Sequence, residues 1–264
     1  MVTAFDPHEV GGKPVKNRIV MAPMTRSRAQ DPGATATALM ATYYAQRAGA
    51  GLIISEGVQP SVVGQGYTST PGLHTSEQVE SWKQVTGAVH REGGVIFAQL
   101  MHTGRVGHPV LLPDGLVPVG PSAVAAQGQV FTQEGPKNFV TPKELSEAEI
   151  LQTVEDFANA ARNAIAAGFD GVEIHGANGY LIHQFLAPNA NRRTDAWGGT
   201  AQGRIRLGVT VATAVAAAIG PEKVGFRISP GSTFNDIQDD PDLDATYGAL
   251  VAELARLDLA YLHV

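Results

Sequence analysis

The chain has 264 residues, a formal net charge of −6 and no cysteine, and 44% of it is hydrophobic. The acidic balance argues against a nucleic-acid partner, because such proteins normally present a basic face. Without cysteine there are no disulfides, thiolate nucleophiles or thiolate metal ligands. No apolar run approaches the ~20 residues that span a bilayer, and the first residues lack the pattern of a secretory signal. We therefore expect a cytoplasmic protein with no membrane contact, large enough for one large domain or two small ones.

Short β-branched apolar runs alternate with longer amphipathic stretches along the chain. The runs that predict strands are 17–23, 52–57, 95–100, 171–176, 224–229 and 259–264. The stretches that predict helices lie at about 37–49, 76–92, 146–167, 200–219 and 243–257. Such a βαβα order predicts a parallel sheet with right-handed crossovers.

Residue types at the helix ends agree with these boundaries. The N-cap candidates are Thr75 or Ser76, Thr200, and Ser146, with Glu149 completing a capping box. The C-cap candidates are Gly49, Gly93, Gly168 and Gly220. Each predicted helix except the last thus has a typical residue at one or both ends.

A barrel fits this sequence better than an open doubly wound sheet. The first strand is not followed by the Gly-x-Gly-x-x-Gly turn of a dinucleotide-binding sheet. Polar residues instead occur at the ends of several strands, where barrel enzymes place their active sites. The segment 101–145 is too long for a βα connection, so we predict an excursion over the barrel mouth that includes a small hairpin. Residues 5–16 are expected to close the floor.

Alternation along the strands turns several polar side chains into the barrel. By this argument Gln99, Glu173, His175 and Arg227 point inward near the mouth. Arg227 and Glu173 could form an internal ion pair, with Gln99 as a satisfied core amide. The convergence of Gln99, His175 and Arg227 without obvious partners favours a bound polar ligand instead. We interpret Glu173, which lies deeper, as structural.

His175, Asn178 and Tyr180 follow one another at the end of a strand. Two neutral donors beside a phenol suit a substrate that develops negative charge on an oxygen and then needs a proton. A capping Asn, a core Tyr and a structural His remain the alternative. No lysine ends a strand, as a Schiff-base aldolase would require. A metal site formed by Glu56, Glu173 and His175 is disfavoured, and we predict no metal.

Several segments together resemble the Old Yellow Enzyme family. They are MAPMTR (21–26), YYAQRAGAGLIISEG (43–57), GQGY…PGLH (64–74), FAQLMHTGR (97–105), GFDGVEIHGANGYLIHQFLAP (168–188), NRRTDAWGG (191–199) and GFRISP (225–230). They occur in family order along nearly the whole chain. The resemblance implies an α/β fold of the (β/α)8 TIM-barrel type, of which this chain carries about six βα units as a single domain.

The resemblance also implies an FMN cofactor and assigns residues to it. Thr25 would place its hydroxyl at the flavin O4 edge, Gln99 would pair with the pyrimidine edge, and Arg227 would face N1 and the C2 carbonyl. The full set of implied cofactor residues is Pro23, Met24, Thr25, Gly57, Gln99 and Arg227. One branch of the family has cysteine at the position of Thr25. With threonine there, this chain resembles the threonine-bearing branch.

The implied reaction reduces an activated alkene with NADPH or NADH. His175 and Asn178 would bind the carbonyl or nitro oxygen of the substrate, flavin N5 would deliver hydride, and Tyr180 would protonate the α-carbon. Tyr67 would line the substrate pocket. A relative with a dedicated biosynthetic redox step and a non-catalytic fragment remain the alternatives.

Three features depart from the family pattern. Gln202-Gly203-Arg204 replaces Glu-Asn-Arg, and Met101-His102 stands where family members commonly have Trp. The chain also ends on its sixth predicted strand, whereas a closed barrel needs eight. We expect either about 90–110 further residues, by analogy with complete barrels, or a second chain that supplies the missing strands. A homo-oligomer is left open.

Overall fold

The structure, a computed structural model, describes residues 1–238 and 240–264. Its strands are β1 (His8–Val10), β2 (Lys13–Val15), β3 (Val20–Met21), β4 (Leu52–Val58), β5 (Ile96–Leu100), β6 (Val119–Gly120), β7 (Gln129–Thr132), β8 (Gly135–Asn138), β9 (Lys143–Glu144), β10 (Gly171–His175), β11 (Val224–Arg227) and β12 (Tyr261–His263). Its helices are α1 (Ala38–Ala45), α2 (Ser76–Arg91), α3 (Glu147–Ala166), α4 (Leu181–Leu186), α5 (Ala201–Ile219) and α6 (Leu243–Ala255). No helix in these ranges is long and apolar enough to cross a membrane.

Six strands form one parallel sheet in the order β3-β4-β5-β10-β11-β12. The spatial order therefore follows the chain order, as in the wall of a barrel, whereas a doubly wound sheet reverses its order at a switch point. Within the described ranges β3 and β12 each pair with one strand only. The sheet is thus an open barrel wall of six strands.

The predicted helix starts agree closely with the structure. Thr75 and Ser146 each form a capping box, with Gln78 and Glu149 as the reciprocal partners, and the Thr200 hydroxyl accepts a hydrogen bond from the third residue of α5. Each side chain satisfies a backbone N–H that the first helical turn leaves without a partner.

The predicted helix ends are correct at three glycines and wrong at the fourth. Gly93, Gly168 and Gly220 have φ angles of 69°, 88° and 93°, which glycine adopts without steric cost. Gly49 is not a C-cap, because α1 already ends at Ala45 and tight turns follow. The Gly49 carbonyl instead accepts a hydrogen bond from the Asn17 side chain, and β3 is correspondingly shorter than predicted.

Alternate residues of each strand face the helices or the barrel interior. Val172, Ile174 and Phe226 belong to the main core, together with Trp82 of α2 and Phe157 of α3. Burial of each such aromatic ring contributes on the order of 1.5–3 kcal/mol. A second cluster on the inner face contains Leu52, Ile54 and Phe97. The side chains predicted to face inward therefore share a lumen that is apolar at its base.

The N-terminal hairpin closes that base, as the sequence predicts. β1 and β2 pair antiparallel, and Val10 packs against the inner cluster around Phe97. Lys13 forms an ion pair with Asp170, the residue immediately before β10. Both contacts lie at the amino ends of the parallel strands, opposite the mouth.

Residues 101–145 contain the predicted hairpin, formed by β7 and β8. Phe139, just beyond β8, packs against a buried cluster of Met101, Val106 and Tyr180. The excursion therefore reaches the carboxyl ends of the strands, where Tyr180 lies.

Candidate functional site

The strand register brings the polar inner residues together in two layers. In the deeper layer Glu173 lies beside Gln99 on one strand and Gly225 on the next. In the upper layer His175 lies beside Arg227, which in turn lies beside His263. The predicted residues Gln99, His175 and Arg227 thus share one end of the lumen.

Glu173 does not form the alternative ion pair with Arg227. Its carboxylate accepts one hydrogen bond from Gln99 Nε2 at 2.8 Å and lies 2.9 Å from His263 Nδ1. Sequence reasoning missed His263, although alternation along the last strand, with Tyr261 and His263 two residues apart, could have placed it inward.

The Arg227 side chain forms no ion pair or hydrogen bond with residues 1–238 or 240–264. Its Nε is buried and makes no hydrogen bond within the described part of the chain. A buried polar atom without a hydrogen bond is costly, so this half-buried guanidinium suits a ligand that brings carbonyl oxygens or negative charge to this position. This orphaned group is the feature of the lumen that fits the predicted flavin.

His175 is buried at the end of β10, with 3% of its surface exposed. Its pKa is lowered well below the usual value, first by burial and then by the charge of Arg227. The backbone N–H of Ala177 donates to its Nδ1 at 3.3 Å. The neutral ring therefore carries its proton on Nε2, which makes His175 a hydrogen-bond donor toward the mouth.

The turn after β10 is held in an uncommon conformation. Asn178 and Gly179 both have positive φ, 55° and 74°. The Asn178 N–H donates to Ser229 Oγ at 2.9 Å, and its carbonyl accepts from Asn235 Nδ2 at 2.8 Å. The Gly179 N–H donates to His183 Nδ1 at 3.0 Å. These bonds fix the Asn178 backbone, and its half-buried amide makes no hydrogen bond to other described residues.

Tyr180 directly precedes the short helix α4. Its hydroxyl lies 3.0 Å from the Tyr67 hydroxyl. Its ring meets the His175 ring edge to face, with centroids 5.0 Å apart. Burial raises the pKa of both phenols, and the Asn235 amide partly opposes that shift. The structure thus brings His175, Tyr180 and Tyr67 together, with Asn235 as a neighbour that sequence reasoning missed.

The segment expected to contact the flavin follows the edge strand β3. Met24 and Thr25 are exposed and Pro23 is half-buried, so these residues are accessible at the mouth side of the sheet. Gly57 lies in register with Gln99, and a Cβ there would lie 2.5 Å from the Met101 side chain. A larger residue at position 57 would therefore displace Met101.

Glu56 holds this segment through a hydrogen bond to the Arg26 backbone. Its buried carboxyl accepts hydrogen bonds from the Tyr44 hydroxyl at 3.1 Å and from the Arg26 N–H at 3.4 Å. Burial raises its pKa to about 7. Glu56 and Glu173 thus bind different partners. No group of three or more potential metal ligands occurs in residues 1–238 and 240–264.

The chain matches known proteins along its whole length. The model of the NADH:flavin oxidoreductase / NADH oxidase family matches residues 3–264. Chanoclavine-I aldehyde reductase of Penicillium roqueforti is 44% identical over 268 residues, which cover 100% of this chain and 70% of that protein. A probable flavin mononucleotide-dependent alkene reductase of Leishmania infantum is 45% identical over 97% of this chain and 71% of its own length.

Solved structures agree with the fold. The old yellow enzyme homologue from Zymomonas mobilis has a TM-score of 0.95 at 43% identity, covering 99% of this chain and 72% of that one. Morphinone reductase has a TM-score of 0.94 at 44% identity, covering 98% of this chain and 70% of its own. The six-stranded wall is therefore similar to the corresponding part of these structures.

Proposed function

The chain belongs to the NADH:flavin oxidoreductase / NADH oxidase family, and from that premise we propose that it is an FMN-dependent ene-reductase. It reduces the activated C=C bond of α,β-unsaturated carbonyl compounds with NADPH or NADH in the cytoplasm. The observation that carries the proposal is the neutral His175 donor and the Tyr180 phenol beside Arg227, whose buried Nε makes no hydrogen bond to the described residues. Relatives described as an alkene reductase and a morphinone reductase are consistent with this chemistry.

His175 and Asn178 are proposed to bind the substrate oxygen. His175 presents Nε2–H because its Nδ1 accepts the Ala177 N–H. Asn178 has a free side-chain amide on a turn fixed by Ser229 and Asn235. Two preorganised donors stabilise the negative charge that develops on this oxygen as the double bond accepts hydride.

Tyr180 is proposed to protonate the α-carbon. Burial raises its pKa, so the phenol stays protonated near neutral pH and can act as an acid. Its hydroxyl is paired with that of Tyr67, which can stabilise the oxygen once the proton has left. Tyr67 is partly exposed and lies where it would also line the substrate pocket.

The residues proposed to hold FMN come from β4, β5 and β11 and from the segment that follows β3. Arg227 would neutralise the N1–C2 edge and Gln99 would bond the pyrimidine edge, while the remaining contacts come from Pro23, Met24, Thr25 and Gly57. Held there, FMN would supply the hydride-transfer chemistry for the alkene β-carbon. The protein orients it and adjusts its electrostatic environment.

Two further βα units are proposed to cover the free edges of the sheet. β3 and β12 each lack one neighbour among the described residues, and Val20 and Leu262 on them are 51% and 40% exposed. Exposed apolar edge strands promote association unless they are paired or covered. Flavin content and oligomeric state of the polypeptide 1–264, expressed alone, test this proposal. A monomeric protein with bound flavin would contradict it.

The proposed function is tested by turnover of cyclohexenone with each nicotinamide. The expected result is a yellow protein that consumes NADPH or NADH in proportion to the enone reduced. A flavin-containing protein that leaves cyclohexenone unchanged would refute the ene-reductase assignment. The comparison of the two nicotinamides also settles which one serves as reductant.

A further inference from the structure

Glu173 is a buried carboxylate for which the proposed reaction has no use. It is 0% exposed and lies in the deeper polar layer of the lumen, one layer below His175 and Arg227. It accepts a hydrogen bond from Gln99 Nε2 and faces His263 Nδ1. Tyr261 is also close: burial raises the pKa of its phenol, and the charge of Glu173 raises that pKa further. A carboxylate placed here at the cost of desolvation is expected to have a specific task.

The bond to Glu173 decides which way the Gln99 amide points. Gln99 Nε2 donates to Glu173 Oε1 at 2.8 Å, so the amide NH₂ group faces the carboxyl group. The Gln99 backbone N–H is bound separately, to Ser55 Oγ at 3.0 Å. Oε1 makes no hydrogen bond to the described residues and remains available as an acceptor.

We propose that Glu173 is a positioning residue that presents Gln99 Oε1 to the N3–H group of the bound flavin. The inference rests on the proposed function, because it requires the flavin pyrimidine edge to lie against Gln99. N3–H is the single donor on that edge and is flanked by two carbonyl oxygens. An amide free to rotate could offer NH₂ to this donor and lose the bond, whereas an amide held by Glu173 offers oxygen.

If Glu173 had only a structural role, its replacement would change protein stability and would weaken binding of FMN and of any FMN analogue alike. The position of Glu173 predicts an atom-specific effect, which passes through Gln99 and vanishes when Gln99 is absent. FMN methylated at N3 lacks the donor and is therefore the matched probe. For each variant we compare the ratio of the dissociation constants for 3-methyl-FMN and FMN. Methylation also adds bulk, and the ratio in Gln99→Leu, which lacks the acceptor, measures this steric contribution.

The test uses the full-length natural protein, stripped of flavin and titrated with FMN and with 3-methyl-FMN by fluorescence. The variants are Gln99→Leu, Glu173→Leu, Glu173→Gln and the double variant with leucine at both positions, each checked by thermal unfolding. The preference of the wild type for FMN over 3-methyl-FMN is expected to be about tenfold greater than that of Gln99→Leu. This factor corresponds to one net hydrogen bond. Glu173→Leu should lose most of that preference although Gln99 is still present.

The double variant should match Gln99→Leu, because the two side chains act through one contact. Glu173→Gln keeps the shape of the side chain and should lose part of the preference, since its amide bonds Gln99 in either orientation. An unchanged preference in both Glu173 variants overturns the inference, as does a further loss in the double variant beyond Gln99→Leu. A wild type that binds no FMN would instead refute the proposed function.

Discussion

Replacement of Tyr180 by phenylalanine removes one oxygen and keeps the ring. The ring packs edge to face on His175 and within the cluster of Met101 and Val106, so these contacts survive the change. We expect reduction of the flavin by NAD(P)H to proceed as in wild type. Reoxidation by an enone should slow, because the acid that protonates the α-carbon is gone.

The magnitude follows from what remains near the lost hydroxyl. Positioned general acids typically contribute about 10²–10⁴-fold to a rate. The Tyr67 hydroxyl lies 3.0 Å from the removed oxygen and could deliver a proton over a longer path. We therefore expect a loss near the lower end, on the order of 10²-fold. Tyr67→Phe, which leaves the acid in place, should cost only about two- to tenfold, the effect of one neutral hydrogen bond.

Stopped-flow absorbance of the flavin separates the two half-reactions. Wild type, Tyr180→Phe and Tyr67→Phe are reduced with NAD(P)H under anaerobic conditions and then mixed with cyclohexenone. Equal reoxidation rates in wild type and Tyr180→Phe would refute the assignment of Tyr180. A larger loss in Tyr67→Phe than in Tyr180→Phe would move the acid to Tyr67.

Three further predictions follow from the same geometry. His175→Ala and Asn178→Ala should each weaken binding of phenol-type ligands and cost roughly 10²–10³-fold in turnover, as loss of one oxyanion donor does; an unchanged phenolate charge-transfer band in both would place the oxygen elsewhere. Burial raises the pKa of Glu56 from 4.5 to about 7. As pH rises, the unfolded chain therefore releases this proton before the folded protein does. The free energy of unfolding should fall by roughly 3 kcal/mol between these two pH values. Glu56→Gln should remove that part of the pH dependence, measured by denaturation at several pH values, and identical slopes would contradict it. Gly179→Ala should lower the melting temperature of the protein more than Gly231→Ala does. The two glycines have nearly the same φ, +74° and +73°, but of the two only Gly179 would bring a Cβ against a backbone oxygen, at 2.5 Å. Equal melting temperatures would show that the contact relaxes.

The order of the elements could be predicted because its signals are local. Thr75, Ser146 and Thr200 cap helices through atoms only three residues away, and strand alternation places Arg227 and His175 inside without knowledge of other strands. The predicted end of α1 at Gly49 is wrong because the helix stops at Ala45 and a series of tight turns, without a glycine at its start, follows.

The supporting contacts of the site could not be predicted in the same way. Asn235 reaches Asn178 across 57 positions of the chain, and His263 reaches Glu173 across 90. Glu56 meets Tyr44 and the Arg26 backbone only once α1 and the segment after β3 have packed together. Such contacts depend on the register of several strands at once, which periodicity within one segment does not encode.

The proposed function requires that FMN held at this mouth be reduced by a nicotinamide and reoxidised by an alkene. The most direct measurement is the absorbance spectrum of the full-length natural protein through one anaerobic cycle. One equivalent of NADPH or NADH should bleach the flavin band, and one equivalent of cyclohexenone should then restore it. A band that stays bleached with the enone and returns only when oxygen is admitted would contradict the proposed function.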